Sequence, residues 1–360
     1  TYHLARSARE KGDLVEALGW PNADLPKWFI VDNFFKESTA FNDQLILSQG
    51  GHIHWVEAGE ASKCLGEVER ILGWMATTGL NRHETVAVMG GGTVLDVGLF
   101  AASIFQRGTH TWSIPTTLLA AVDAGIGGKN GVNFLGLKNY IGTITQPDFV
   151  VSDLNVLNSL PPIEVLNGWM EMTKHALIAD ADLWEKMMAF QGIPAPTIMD
   201  ALIEAAVHVK TSIVQSDERE EGERKTLNFG HTIAHALESR ASEFHRTMPH
   251  GIAVGMGMIC ALHWSAQNAA TSEIESQLKQ AALRIRTWLA AGASEPMNQA
   301  LNDFDARAMW NLMLKDKKNA QQLVLDVVLE DIGKALWNRP LTFDSFESCW
   351  TAAFAHDIRG

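Results

Sequence analysis

The stretch Glu84-Thr85-Val86-Ala87-Val88-Met89-Gly90-Gly91-Gly92-Thr93-Val94-Leu95-Asp96 decides the fold. Its apolar, β-rich opening predicts a strand over 84–89, and the run from Val94 to Phe105 predicts a helix closed by Arg107-Gly108. A second strand follows over His110 to Ile114 and ends at Pro115-Thr116-Thr117. Glycines between a strand and a helix let backbone N–H groups approach an anion, and the helix N-terminus favours negative charge. These glycines are consecutive and end in Thr, unlike the spaced dinucleotide fingerprint, so a plain tight turn stands beside the phosphate cradle.

Working outward, Lys27 to Val31 and His52 to Val56 read as strands, as does Phe149 to Val151. Between them, Cys64, Leu65, Val68, Ile71, Leu72 and Met75 recur at helical spacing over 62–78, with Gly79 as a stop. Strands alternating with helices imply a parallel sheet that takes ligands at its carboxyl edge. After about Leu154 the pattern turns helical over 162–178, 182–190, 197–215, 226–239, 251–266 and 272–289. Residues 324–329 fit a late strand or a helix. The expected architecture is an α/β N-terminal domain over 1–155 and a mainly α-helical C-terminal domain over 156–360.

Composition narrows the function. A chain of 360 residues holds two domains, and 46% hydrophobic with 20% charged residues is the balance of a folded globular protein. Its 29 basic against 42 acidic residues, a net −13, argue against nucleic acid and against an anionic membrane surface as partners. Three cysteines, Cys64, Cys260 and Cys349, support neither a disulfide scaffold nor a cysteine zinc site. No run is long enough to span a bilayer, and the first residues lack a signal-peptide core, so a soluble cytoplasmic protein is expected. The 12 tryptophans serve a core or an interface.

Four motifs carry chemistry. Val122-Asp123-Ala124-Gly125-Ile126-Gly127-Gly128-Lys129-Asn130-Gly131, followed by Gly136-Leu137-Lys138-Asn139, reads as a mobile surface loop or as a clamp on phosphate or carboxylate. Glu171 and Lys174 share a helix face, as a surface ion pair or as site residues; His175 lies four from Glu171, and spacing does not choose between the partners. In Asn228-Phe229-Gly230-His231-Thr232-Ile233-Ala234-His235 two histidines four apart share a face, and His250-Gly251 adds another imidazole. Packing or capping explains such a pair as well as metal does. One Glu with two His and an open position would make a catalytic zinc site. Lastly, Arg107, Lys129, Lys138, Lys174, Lys210, Arg224 and the pair Lys317-Lys318 accumulate in an acidic chain, as solvated charges or as cations gathered on an anionic small substrate.

Together these motifs resemble the 3-dehydroquinate synthases of the sugar phosphate cyclase family, in order from about Glu60 to Lys334. The strongest stretches are 90–96, 115–129, 138–142, 168–178, 217–238 and 250–256; the run Asp217 to Arg224 leading into Leu227 to Thr232 is specific to the family. The resemblance implies an NAD-binding domain, a helical metal- and substrate-binding domain, and an active site between them. It implies zinc, with cobalt as an alternative, on Glu171, His231 and His250, leaving His235 to the substrate. NAD contacts would fall at Asp32, Glu60, Lys63, Gly91, Gly92, Thr93, Asp96, Thr116, Thr117, Lys129, Lys138 and Ser159. Acidic residues at the adenosine ribose suit NAD better than NADP. Substrate contacts would be Arg107, Asp123, Lys129, Asn139, Lys174, Lys210, Glu220, Arg224, Asn228, His235 and one of Lys317 or Lys318.

The implied reaction closes 3-deoxy-D-arabino-heptulosonate 7-phosphate to 3-dehydroquinate with loss of phosphate, NAD being regenerated each turnover, in a cytoplasmic homodimer. Ala124-Gly125-Ile126 replaces a pair of small polar residues and is similar to the valiolone-type cyclases. Asn130 and Ser159 stand where Thr is common, and Trp169-Met170 where smaller residues are. The rivals are another cyclase (aminodehydroquinate, valiolone or deoxy-inosose type), a metal-dependent polyol dehydrogenase, and an inactive relative acting as a binding subunit.

Overall fold

The structure, a computed structural model, describes residues 2–5, 26–38, 41–315 and 323–354. The chain divides into two compact units, Thr1–Leu160 with Ala195–Asp200, and Pro161–Pro194 with Ala201–Gly360.

The first unit contains strands β1 (Tyr2–Ala5), β2 (Trp28–Asp32), β3 (His52–Val56), β4 (Thr85–Gly90), β5 (His110–Pro115), β6 (Lys129–Phe134), β7 (Leu137–Ile144) and β8 (Phe149–Asp153). Six form one sheet in the order β1-β8-β5-β4-β2-β3, every pair parallel. Helices α1 (Asp43–Ser48), α2 (Leu65–Thr77), α3 (Gly92–Ile104) and α4 (Leu154–Leu157) connect strands or flank them. Successive strand residues serve opposite faces. Ile30, Val86 and Val88 pack with Val68, Ile71 and Val97 on one side, and Phe29, Val31, Ala87 and Met89 with Phe35, Ile46 and Ile114 on the other. Both faces of the parallel sheet are therefore buried, which is why its central strands read as continuous apolar runs.

The glycine-rich stretch after Asp123 is not the open loop its composition suggests. It feeds β6, which pairs antiparallel with β7 in a separate hairpin. Gly131 lies opposite Gly142, and a Cβ on either would collide with backbone of the other strand. The glycines permit close strand approach rather than mobility.

The second unit holds α5 (Pro162–Ala179), α6 (Ala181–Met188), α7 (Asp200–Ser216), α8 (His231–Glu243), α9 (His250–Gln267), α10 (Ser272–Gly292), α11 (Ser294–Asn302), α12 (Ala306–Lys315), the hairpin β9 (Val324–Asp331) and β10 (Lys334–Leu341), and α13 (Phe343–Phe354). The parallel α/β first part and the mainly helical second part are thus both present. Residues 324–329 lie in β9, and their antiparallel partner β10 had no expected counterpart.

The single helix expected over 226–239 is two elements: a 3-10 turn over Glu223–Asn228 and then α8. Gly230 separates them at φ 77°, and a Cβ there would sit 2.8 Å from the Met258 nitrogen and Val254 oxygen of α9. Only glycine admits both that conformation and that approach. Pro161 and Pro162 open α5, and Pro249 precedes α9. Tryptophans fill this core: Trp169 stands edge-on to Trp288 at 5.3 Å, Trp184 at 6.2 Å from Trp288, and Trp350 stacks on Phe304 at 4.1 Å. No helix among the described residues is long and apolar enough to cross a membrane.

Candidate active site

In the first unit, the residues expected to meet a nucleotide collect along the carboxyl edge of the sheet. Asp32 ends β2, Glu60 and Lys63 follow β3, Gly91 to Asp96 follow β4, Thr116 and Thr117 follow β5, and Ser159 follows β8. Strand carboxyl ends are where a doubly wound sheet takes ligands. Asp32 is buried, and its Oδ1 accepts the Phe34 N–H at 3.0 Å. Burial pushes its carboxyl above the usual value, the Glu57 charge adds to this, and the N–H groups of Phe34 and Gly91 pull it partly back. No side chain caps α3 at Gly91, so its first-turn N–H groups are left for an anion. A Cβ on Gly91 would press on Thr117 Cγ2 at 3.2 Å, and one on Gly92 on Ala124 at 3.3 Å. This close-packed backbone fits a dinucleotide's phosphates. Lys63, itself buried, pairs with Asp96 on α3. Ser159 donates to the Val156 carbonyl at 2.8 Å.

Lys129 opens β6, and Lys138 and Asn139 lie in β7, Asn139 at φ 49°. Asp123 sits on a π-turn, Ala120–Ala124, closed by the Gly125 N–H on the Ala120 carbonyl at 2.8 Å. Such turns re-aim a side chain and recur at functional sites. Arg107 is not with them. It follows the C-terminal end of α3, three residues before β5 begins, so it lies at the opposite end of the sheet.

The second unit supplies buried charge. Glu171 and Lys174, one turn apart on α5, are both almost fully enclosed, and the ammonium lies 2.5 Å from Oε2. Burial of both partners removes the surface-pair alternative. His231 begins α8 and His250 begins α9. Their Nε2 atoms stand 3.7 and 3.4 Å from Glu171 Oε1. Two ligands of one tetrahedral cation with bonds of about 2.1 Å lie about 3.4 Å apart. The other ring nitrogens are held: His231 Nδ1 donates to the Phe229 carbonyl at 3.2 Å, and His250 Nδ1 to Glu238 Oε1 at 3.3 Å. That leaves each Nε2 directed at Glu171, the tautomer a metal requires. Burial drives the His231 imidazolium well below its ordinary pKa, and the Lys174 charge drives it further, outweighing Glu171. For His250 burial acts the same way, but hydrogen bonds and charge from Glu171 and Glu238 overcome it and lift the imidazole to about 10. One carboxylate oxygen and two imidazole Nε2 atoms at these distances fit a divalent cation, which would displace the proton shared between His250 and Glu171. The three side chains form one of the candidate metal clusters among the described residues.

Close helix packing brings the three together. A Cβ on Gly251 would collide with the Asn167 backbone of α5. The break at Gly230, which divides one expected helix into two, also turns the Phe229 carbonyl toward His231.

The second unit also holds the other expected substrate residues. His235 is one turn beyond His231, its ring edge-on at 5.7 Å. Lys210 on α7 and Arg224 in the 3-10 turn are buried. Asn228 Nδ2 donates to Glu220 Oε1 at 2.5 Å, and Glu220 is held at φ 62°. Lys317 and Lys318 lie outside the described residues.

Two residues escaped the sequence reading as individuals. Asp217 accepts the N–H groups of Glu221 at 3.0 Å, Gly222 at 2.7 Å and Arg224 at 3.0 Å, winding the loop that carries Glu220 and Arg224. Desolvation raises its pKa, but these bonds and the Arg224 charge win and hold it below the usual range. Glu238, seven residues after His231, shares its helix face, a spacing that could have flagged it.

The chain is similar to known proteins over most of its length. Residues 53–167 match the family model described as 3-dehydroquinate synthase N-terminal, and residues 168–319 the C-terminal model. A 3-dehydroquinate synthase from Parabacteroides distasonis is 34% identical over 288 residues, 80% of this chain and 79% of the relative. Among solved structures, 2-deoxy-scyllo-inosose synthase complexed with carbaglucose-6-phosphate, NAD+ and Co2+ superposes with a TM-score of 0.78 at 23% identity, covering 97% of this chain and 96% of the other. The 2-epi-5-epi-valiolone synthase of Streptomyces hygroscopicus subsp. jinggangensis, with NAD+ and Zn2+ bound, also gives 0.78, at 22% identity over 99% and 98%.

Proposed function

Because the chain belongs to the 3-dehydroquinate synthase family, we propose that it is a phosphate-eliminating carbon–oxygen lyase converting 3-deoxy-D-arabino-heptulosonate 7-phosphate to 3-dehydroquinate, with NAD and a divalent metal, zinc or cobalt, as cofactors. The observation that carries the proposal is the Glu171, His231 and His250 donor set beside a buried Lys174, within a chain matching both family models. In this division of labour the first unit is the NAD-binding domain and the second the metal- and substrate-binding domain. The enzyme would act as a cytoplasmic homodimer.

When bound, NAD supplies a hydride acceptor and the cation a Lewis acid. The residues of the chain do the rest. Asp32 and Glu60 would take ribose hydroxyls, Gly91 to Thr93 would present N–H groups to the pyrophosphate, and Thr116 and Thr117 would line the same edge. Lys129 and Lys138 would reach the cofactor from the hairpin. Asp123 and Asn139 would orient substrate hydroxyls. Lys174, buried against Glu171, would donate to a substrate oxygen near the cation and balance the charge of the Glu171 carboxylate. Lys210, Arg224 and His235 would offer cationic and hydrogen-bonding donors to the phosphate. These groups stabilise its charge as the carbon–oxygen bond breaks. Asn228 would be aimed by Glu220.

The test is turnover of 3-deoxy-D-arabino-heptulosonate 7-phosphate by zinc-loaded protein with a trace of NAD, following phosphate and 3-dehydroquinate together. Equal release of both over many turnovers, without net NADH, is expected. Sustained NADH formation would mean a dehydrogenase. NAD and zinc binding with no turnover would mean a cyclase acting on another sugar phosphate.

A further inference from the structure

We propose that Asn133, at a bulge in the β6–β7 ladder, is a positioning residue that couples the loop after β3 to the hairpin strand carrying Lys138 and Asn139. The proposal rests on the reading that Glu60 and Lys63 meet NAD while Asn139 meets substrate. Asn133 makes three hydrogen bonds to those residues. Its Nδ2 donates to Glu60 Oε1 at 2.7 Å, its Oδ1 accepts the Asn139 N–H at 2.9 Å, and its backbone N–H donates to the Lys63 carbonyl at 2.9 Å. The amide has one possible orientation, because a carboxylate oxygen only accepts and a backbone N–H only donates.

Two irregularities of the hairpin serve this set. The β6–β7 register shifts between Val132 and Phe134, so Asn133 lies at a bulge and its N–H goes to Lys63 instead of β7. Asn139 adopts φ 49°, a conformation uncommon away from glycine, and directs its N–H to the Asn133 oxygen. Lys63 in turn pairs with Asp96 on α3. A hydrogen-bonded path thus runs from the glycine-rich helix start through Asn133 to the hairpin. A nucleotide that orders Glu60 and Lys63 would set Lys138 and Asn139 for substrate, and coupling between two ligands is reciprocal.

Two variants separate the bonds. Asn133→Asp keeps the acceptor for Asn139 and replaces the donor to Glu60 with a repelling carboxylate. Asn133→Ala removes both. Isothermal titration with NAD reads the first ligand; initial rates with 3-deoxy-D-arabino-heptulosonate 7-phosphate at saturating NAD read the second. For N133D the NAD dissociation constant should rise about tenfold, with KM changed less. For N133A the KM should rise about tenfold and NAD affinity should fall less than in N133D, with kcat within about twofold in both. Adding E60Q to N133D replaces the repulsion with an amide donor and should restore NAD binding to the level of E60Q alone. Zinc content should equal wild type throughout, confirming a folded second unit. Unchanged NAD affinity and KM in both variants, or no rescue by E60Q, would overturn the coupling. A wild-type chain that binds no NAD overturns the functional reading itself, before any variant is made.

Discussion

The carboxyl edge of the first unit is made mainly of backbone and small side chains, Gly91, Gly92, Thr116 and Thr117, with a few acids at its margin. The cluster in the second unit is made of side chains that carry charge into a closed interior: Glu171 and Lys174, with His231 and His250 against the Glu171 carboxylate. A backbone cradle is tolerant. Its donors come from the helix start, and one altered side chain changes its shape more than its charge. A buried charge cluster is brittle, since removing one partner leaves another uncompensated at a cost of about 3–5 kcal/mol. The same chain therefore expects two kinds of mutational response.

The largest effects belong to the charge cluster. His231→Ala should leave the protein without bound zinc by elemental analysis and lower turnover by at least about a thousandfold; normal metal content would remove His231 from the centre. Lys174→Met should lower unfolding stability by about 3–5 kcal/mol in a denaturant titration, because the Glu171 carboxylate loses its ammonium. A loss under about 1 kcal/mol would mean the pair behaves like an exposed one. Glu238→Gln exchanges the acceptor of His250 Nδ1 for a weaker one, and zinc affinity in a chelator competition should fall about 10- to 100-fold.

The edge should respond more gently. Gly91→Ala presses a methyl on Thr117 and should weaken NAD binding several-fold while zinc affinity stays put. Asp32→Asn should move binding and stability in opposite directions. The Asp32 carboxyl has a folded pKa above its unfolded value of about 3.9. Its contribution to folding is therefore full below that value and lost as pH rises through the folded pKa. At pH 7 the neutral amide removes this cost and still accepts the Phe34 N–H, so thermal stability should rise by a degree or more, an advantage that shrinks toward pH 4. NAD affinity should fall about tenfold. A variant that lost both would show that Asp32 stabilises the fold by more than its cap.

Much of this is legible in the sequence alone. The strands at 28–32 and 85–90 show themselves as apolar runs because both faces of a parallel sheet are buried. Glycine composition misled in one place: at Gly131 and Gly142 it marks two strands crossing closely, which looks like a loop until the partner strand is known. Helical periodicity likewise ran through Phe229 and Gly230, because a one-residue break scarcely disturbs spacing. Asp217 was hidden for another reason. Its three acceptor bonds go to backbone N–H groups, which leave no mark in residue type.

By itself the sequence determined the local elements, the edge residues that follow each strand and the family-specific run from Asp217 to Thr232, since these depend on order and spacing along the chain. Tertiary structure alone decided that Glu171 is fully enclosed against Lys174, that both imidazoles turn Nε2 toward it, and that Asn133 holds Glu60 and Asn139 together. Burial, tautomer and hydrogen-bond partner are properties of what lies across space, and the electrostatics that separate a surface ion pair from a cation's ligands arise only once water has been excluded.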